Sequence, residues 1–243
     1  MPVNYNLQSA ASQFRAENGV GACDPIRLES FLLRLGVMTM FKPLTDKFSG
    51  MAIKNEKFKC MLINSNHRVS KQHFTIAHEL YHLFIQKDFI SEISNAGQFD
   101  KKDKNEYDAD CFASYLLMPE EGIVSLIPTG ERSKNKITLP TIVKIEQYFR
   151  CSRRSVLFRL SEIGLIDYSK YNTYTENVKQ SALLLGYDGD LYEAGNHHLV
   201  ITNYGAKAKG LYDKETISES HFISLMSDIG IDITNLATGH EQE

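Results

Sequence analysis

The stretch Phe74-Thr75-Ile76-Ala77-His78-Glu79-Leu80-Tyr81-His82-Leu83-Phe84-Ile85 constrains this chain more than any other. It reads His-Glu-x-x-His inside an apolar run. On an α-helix, residues four apart stand one turn above each other. His78 and His82 therefore point the same way, and their imidazoles can close on one cation. Glu79 lies about 100° further round, within reach of a water on that cation. Zinc with an open coordination position lowers the pKa of its water to about 7, and a neighbouring glutamate can take the proton. The competing reading is two histidines satisfied by ordinary core hydrogen bonds. Ala77, Leu80 and Phe84 form an i, i+3, i+7 face, widened by Ile76, Leu83 and Ile85. The helix is thus expected to be buried, with Ser70 as its N-cap. Imidazoles in such a place need partners, and a metal satisfies both.

A catalytic zinc usually has three protein ligands. Residues 105–118 read as a second helix ended by Pro119, with Glu106, Asp110, Ala113 and Leu117 on one stripe. An unpaired buried carboxylate is costly, so two of them in an apolar stripe ask for partners. Metal ligation by Glu106 supplies one. A hydrogen bond from a ligand histidine N–H to Asp110 supplies the other. The alternative for both acids is an exposed first turn, where they suit the helix dipole.

The pair of segments Lys71-Gln72-His73-Phe74-Thr75-Ile76-Ala77-His78-Glu79-Leu80-Tyr81-His82 and Glu106-x-x-Ala109-Asp110-x-Phe112-Ala113-x-x-Leu116-Leu117-Met118-Pro119 resembles the ImmA/IrrE family of metallo-endopeptidases. The Asn105-Glu106 to Asp110 pattern also resembles the third-ligand helix of thermolysin-like zincins. The resemblance implies an α+β fold with a zincin-like catalytic domain, in which a small sheet accompanies the two motif helices. It implies zinc on His78, His82 and Glu106, catalysis by Glu79 and support of a ligand histidine by Asp110. It further implies a cytoplasmic protein that cleaves a helix-turn-helix repressor of phage, mobile-element or stress-response origin, commonly encoded nearby. Where the family commonly has glycine before the second histidine, this chain has Tyr81, which narrows the site or offers a hydroxyl.

The remaining sequence sets the surroundings. A net charge of −3 over 243 residues forces neither a nucleic-acid nor a membrane partner. No apolar run approaches the ~20 residues of a membrane span, and the N-terminus lacks a secretory signal pattern. Four scattered cysteines, none in C-x-x-C spacing, fit free thiols in a reducing cytoplasm. Charge is uneven: residues 171–243 hold 4 Lys+Arg against 11 Asp+Glu, whereas residues 1–170 hold 23 against 19. Three parts are expected: a catalytic domain over 1–128, a helix-turn-helix-like helical segment over 129–170, and a small acidic α/β accessory region over 171–243.

Within the first part, helices are expected at 4–18 and 25–35 and strands at Val37–Phe41, Gly50–Lys54 and Phe58–Asn64. The last strand could pair with an extended peptide along its edge. Residues 86–105 are polar and read as a surface loop, either a lid or a solvated connector. Further on, helices at 139–149 and 153–163 meet at Arg150-Cys151-Ser152 and resemble a helix-turn-helix. Segment 129–170 carries 9 Lys+Arg against 4 acids, and Arg153 and Arg154 stand where base or phosphate contacts would lie. The preferred alternative is a hairpin packed on the catalytic part with a solvated basic face. Residues 171–186 read as a helix with Val178, Ala182 and Leu185 inside, followed by a strand at 199–202 and helices at 206–212 and 218–229. The functional expectation is a zinc endopeptidase. The alternatives are a DNA-binding regulator and a metal-bearing module that sequesters a repressor without cutting it. For a donor to the oxyanion, the candidates are Tyr81, Tyr107, Tyr115, His67 and His73.

Overall fold

The computed structural model describes residues 3–89, 91–94, 96–100 and 102–233. Helix α1 (Tyr5–Glu17) starts at Asn4, whose side chain accepts the Leu7 N–H, satisfying one of the free donors of a helix start. Helix α2 (Leu28–Leu35) stops at Gly36, which takes the left-handed conformation at φ 65° that costs glycine least. Strands β1 (Val37–Lys42), β2 (Gly50–Lys54) and β3 (Lys59–Asn64) follow, then helix α3 (Val69–Phe84), strand β4 (Ser91–Ser94) and helix α4 (Lys104–Leu117). Next come α5 (Glu120–Leu126), α6 (Leu139–Phe149), α7 (Arg153–Glu162), α8 (Tyr168–Tyr171) and α9 (Val178–Leu184). Strand β5 (Val200–Ile201), α10 (Tyr204–Asp213) and α11 (Glu219–Asp228) complete the described chain.

The architecture is mixed α and β. The five strands form one sheet in the order β4-β2-β3-β1-β5. β1 runs parallel to β3, and the remaining neighbours are antiparallel. One face carries Phe41, Ile63, Gly50 and Ser94 in a row across the strands, set by the register Phe41↔Ile63, Gly50↔Ile63 and Gly50↔Ser94. Helix α3 lies against this face and α4 packs on α3, with α1 on α4 in turn. Almost every side chain of α3 is buried, including Thr75, His78, Glu79 and His82.

Several expectations are corrected. β3 has neighbours on both sides, so its edge is not open to an added peptide; β4 and β5 are the edges. The polar stretch 86–105 contains β4, because the free edge of β2 supplies hydrogen-bond partners that its composition does not advertise. Helix α3 starts one residue after Arg68, with no side-chain cap. Ser70 is buried inside the first turn, and the Val69 N–H is met instead by the Glu193 carbonyl at 2.8 Å. The helix expected over 171–186 is shorter: Asn177 is left-handed at φ 47°, which separates a 3-10 turn at Asn172–Tyr174 from α9. Leu185 is 40% exposed rather than inside.

Helices α6 and α7 meet at a tight corner, Arg150 being left-handed and Ser152 accepting the Ser155 N–H. Ile142, Ile145, Phe149, Val156, Leu157 and Leu160 belong to the same buried cluster as Phe14, Leu80 and Phe112, so packing runs on without a break past residue 128. Arg153 is buried. Its guanidinium donates to Glu146, to the Tyr174 carbonyl (2.9 Å) and to Ser181 Oγ (3.1 Å). That correction removes it from any phosphate-facing surface, while Arg154 is exposed. No described helix is long and apolar enough to cross a membrane.

Candidate metal centre

Helix α3 presents His78 and His82 one turn apart, and the first turn of α4 brings Glu106 over them. His78 Nε2 and His82 Nε2 are 3.1 Å apart. Glu106 Oε2 lies 3.3 Å from the first and Oε1 3.2 Å from the second. Among the described residues these three form the one group of potential ligands whose donor atoms all lie within 4.8 Å of one another. Both imidazoles are 1% exposed.

The other ring nitrogens are engaged. His78 Nδ1 donates to Asp110 Oδ1 at 2.8 Å, and His82 Nδ1 donates to Gln86 Oε1. With those protons committed, neutral rings turn two Nε2 lone pairs toward each other beside a carboxylate, and something positive must sit among them. In the metal-free protein that role falls to a proton on His78. Burial lowers the affinity of His78 for it, but hydrogen bonds to Asp110 and Glu106 and the charge of Glu79 outweigh burial and raise its pKa to about 10. Glu106 moves the opposite way: burial raises it, yet the two imidazoles bring it down to about 2. The same cage suits a divalent ion. Donor atoms sharing a tetrahedral zinc at about 2 Å lie roughly 3.3 Å apart, the separation seen here, and a set of two imidazoles and one carboxylate matches that ion's preference.

Glu79 is wholly buried. The Ser94 hydroxyl donates to its Oε1, while Oε2 is buried without a hydrogen-bond partner. Burial pushes the Glu79 carboxyl upward, against the pull of His78, Ser94 and His82. The geometry therefore sets a carboxylate with one uncommitted oxygen beside a cage for a cation.

Asp110 also fastens the segment between α3 and α4. Its Oδ1 accepts the Gly97 N–H at 2.7 Å and its Oδ2 the Phe99 N–H at 2.7 Å. Both residues are left-handed, Gly97 at φ 86° and Phe99 at φ 50°. The second costs a non-glycine residue about 1 kcal/mol or more, which the carboxylate helps to offset. Phe89 from the same segment stacks on His82 with centroids 5.1 Å apart.

Sequence reasoning missed Ser94, Gly50, Gln86 and Phe89. Gln86 carried a signal, since it follows His82 by four residues and so shares its face. The others carried none, because each depends on strand register or on the path of the loop. Of the proposed oxyanion donors, His67 bonds the Asp46 carbonyl, His73 the Arg150 backbone and Tyr115 the Glu162 carboxylate. Tyr81 sets its ring edge-on to His82 at 5.6 Å, and Tyr107 packs on Phe99.

The family profile described as Peptidase_M78, the IrrE N-terminal-like domain, matches residues 33–161. The chain belongs to this family. The IrrE N-terminal-like match spans α3, α4 and the α6–α7 corner, and so contains both motif helices. A solved structure described as a Mycobacterium tuberculosis transcriptional regulator is similar over 65% of this chain, with 18% identity and a TM-score of 0.43. The match covers 47% of that regulator, so this chain spans about half its length. No curated protein matches.

Proposed function

We propose that this protein is a zinc-dependent endopeptidase with His78, His82 and Glu106 as metal ligands and Glu79 as general base. One observation carries the reading: two imidazole nitrogens and a carboxylate converge within 4.8 Å, and a buried glutamate with one unpartnered oxygen adjoins them. Membership of the Peptidase_M78 family supports it. A zinc ion held there would act as a Lewis acid, acidifying water and polarising a scissile carbonyl. Glu79 Oε2 then accepts the proton of the attacking water and delivers it to the leaving amine nitrogen. Asp110 and Gln86 fix the tautomers of His78 and His82, so that Nε2 of each ring faces the cage.

The reading assigns this chemistry to residues 1–128, with 129–170 as a helical hairpin packed against them and 171–243 as an accessory region. The substrate is a protein, and the class placed first is a helix-turn-helix repressor, as the family resemblance implies. Of the two arginines at the start of α7, only Arg154 is left for direct DNA binding through 129–170, since Arg153 is turned inward.

The test is Glu79→Gln. The variant is expected to keep zinc within about threefold of the parent affinity and to cleave a helix-turn-helix repressor of the proposed class at least ~100-fold more slowly. Fragments are read by mass spectrometry, with chelator-treated parent enzyme as a second control. Cleavage at the parental rate by Glu79→Gln would remove Glu79 as the base, and a parent that yields no chelator-sensitive fragments would end the peptidase reading.

A further inference from the structure

The Glu79 carboxylate is seated from the sheet as well as from its own helix. Gly50 on β2 and Ser94 on β4 are directly opposed across the two strands, and both face α3. A Cβ on Gly50 would lie 2.5 Å from Thr75 Cγ2 and 2.9 Å from Glu79 Oε1, closer than such contacts tolerate. Any side chain there would press on the glutamate. Across the ladder, Ser94 is 2% exposed and its hydroxyl donates to Glu79 Oε1. One strand supplies room and its neighbour supplies a donor.

We propose that Ser94, opposite Gly50, is the positioning residue for Glu79: it engages Oε1 and so leaves Oε2 alone to take a proton. The catalytic consequence rests on the peptidase reading, whereas the seat itself does not. A glutamate has three side-chain torsions, and a buried carboxylate with a single hydrogen bond is held by that bond and by packing alone. The hydrogen bonds of the Ser94 hydroxyl go to Glu79 and Gly50 rather than to a histidine or Glu106, so its effect separates from metal binding. The Gly50 carbonyl stands 3.2 Å from Ser94 Oγ as a second acceptor. The hydroxyl therefore stands between two acceptors, Glu79 on α3 and the Gly50 carbonyl on β2.

The experiment uses full-length Ser94→Ala, which removes one oxygen, beside Gly50→Ala, which crowds the same carboxylate from the other strand. Crystal structures of zinc-loaded Ser94→Ala and parent protein are compared at Glu79, and zinc affinity is measured by chelator competition. Glu79 is expected to leave its parental position or to split between conformers in Ser94→Ala, while zinc affinity stays within about threefold. On fluorescein-labelled casein as probe, kcat is expected to fall about 10–100-fold with KM little changed, the cost of a misplaced reacting group. An unmoved, singly ordered Glu79 in Ser94→Ala would overturn the proposal, as would an unchanged kcat. If the parent itself leaves casein intact, the failure belongs to the peptidase reading, and the crystallographic comparison still decides the seat.

Discussion

Asp110 is the residue through which the metal cage and the loop above it are joined. Its carboxylate accepts one imidazole N–H and two backbone N–H groups, so an amide in its place must turn an NH2 toward one of those donors. Asp110→Asn is expected to weaken zinc binding about 10–100-fold, measured by chelator competition. A change below about threefold would mean that the His78 tautomer needs no carboxylate. The cage also has a defined response to pH. In the metal-free protein a raised His78 contributes stability that is complete below its ordinary value of 6.5 and is lost as pH climbs through about 10. A lowered Glu106 contributes stability that is complete above its ordinary value of 4.5 and is lost as pH falls through about 2. Together they stabilise the metal-free fold most between these ordinary values, with a decline toward alkaline pH. On the proposed reading zinc would need an unprotonated His78, so its grip would strengthen over the range in which the metal-free protein weakens. Thermal unfolding with and without chelator, followed from pH 6 to 9, should show a gap that widens with pH. A constant gap would place the proton elsewhere.

At the scale of elements, α4 is where local and tertiary demands meet. Asp103 caps it, accepting the Asn105 and Glu106 N–H groups, and Glu106 stands at the third helical position. In a capping box, a glutamate there reaches back to the cap residue's N–H; here its carboxylate turns to the two imidazoles. Asp103→Ala should lower metal-free stability by about 1 kcal/mol in urea unfolding and loosen the cage, so that zinc affinity drops as well. Unchanged affinity would show that the imidazoles alone place Glu106. This element was legible in the sequence because its stripe of apolar residues and two acids repeats at helical spacing over a long run. The same holds for α1, for the end of α2 at Gly36 and for β1 to β3, whose boundaries follow apolar runs and turn residues; α2 starts at Leu28 rather than at the expected Pro25. Strand β4 was not legible. Ser91-Glu92-Ile93-Ser94 has one apolar residue and becomes a strand only because β2 has a free edge. The start of α3 misled for a related reason: Ser70 is a good cap by type, but the Glu193 carbonyl already meets the Val69 N–H.

Across the whole molecule, the chain returns from far along the sequence to brace the helix that carries the cage. β5 pairs with β1, Arg68 bridges Ala194, and Gln72 exchanges side-chain hydrogen bonds with the Gly195 carbonyl and Asn196. Partners separated by more than a hundred residues leave no local pattern, and so the tail's packing onto the cage helix was invisible in composition and periodicity. The α6–α7 hairpin illustrates the same limit. Its two helices and their corner were readable, but the fate of Arg153 was not. Standing first in the basic pair Arg153-Arg154, it looks solvated; in the fold it is paired with Glu146, whose carboxyl burial pushes upward and Arg153 draws back down, and it ties α7 to Tyr174 and Ser181. Removing one partner of a buried pair strands the other charge, at a cost of about 3–5 kcal/mol. Arg153→Met should therefore be strongly destabilised in urea unfolding, whereas Arg154→Ala should stay within about 0.5 kcal/mol of the parent. Converting Glu146→Leu together with Arg153→Met removes both charges and should recover much of the loss. A DNA-facing Arg153 makes the opposite prediction, since both single variants would then fold as stably as the parent and lose only salt-sensitive binding to a duplex.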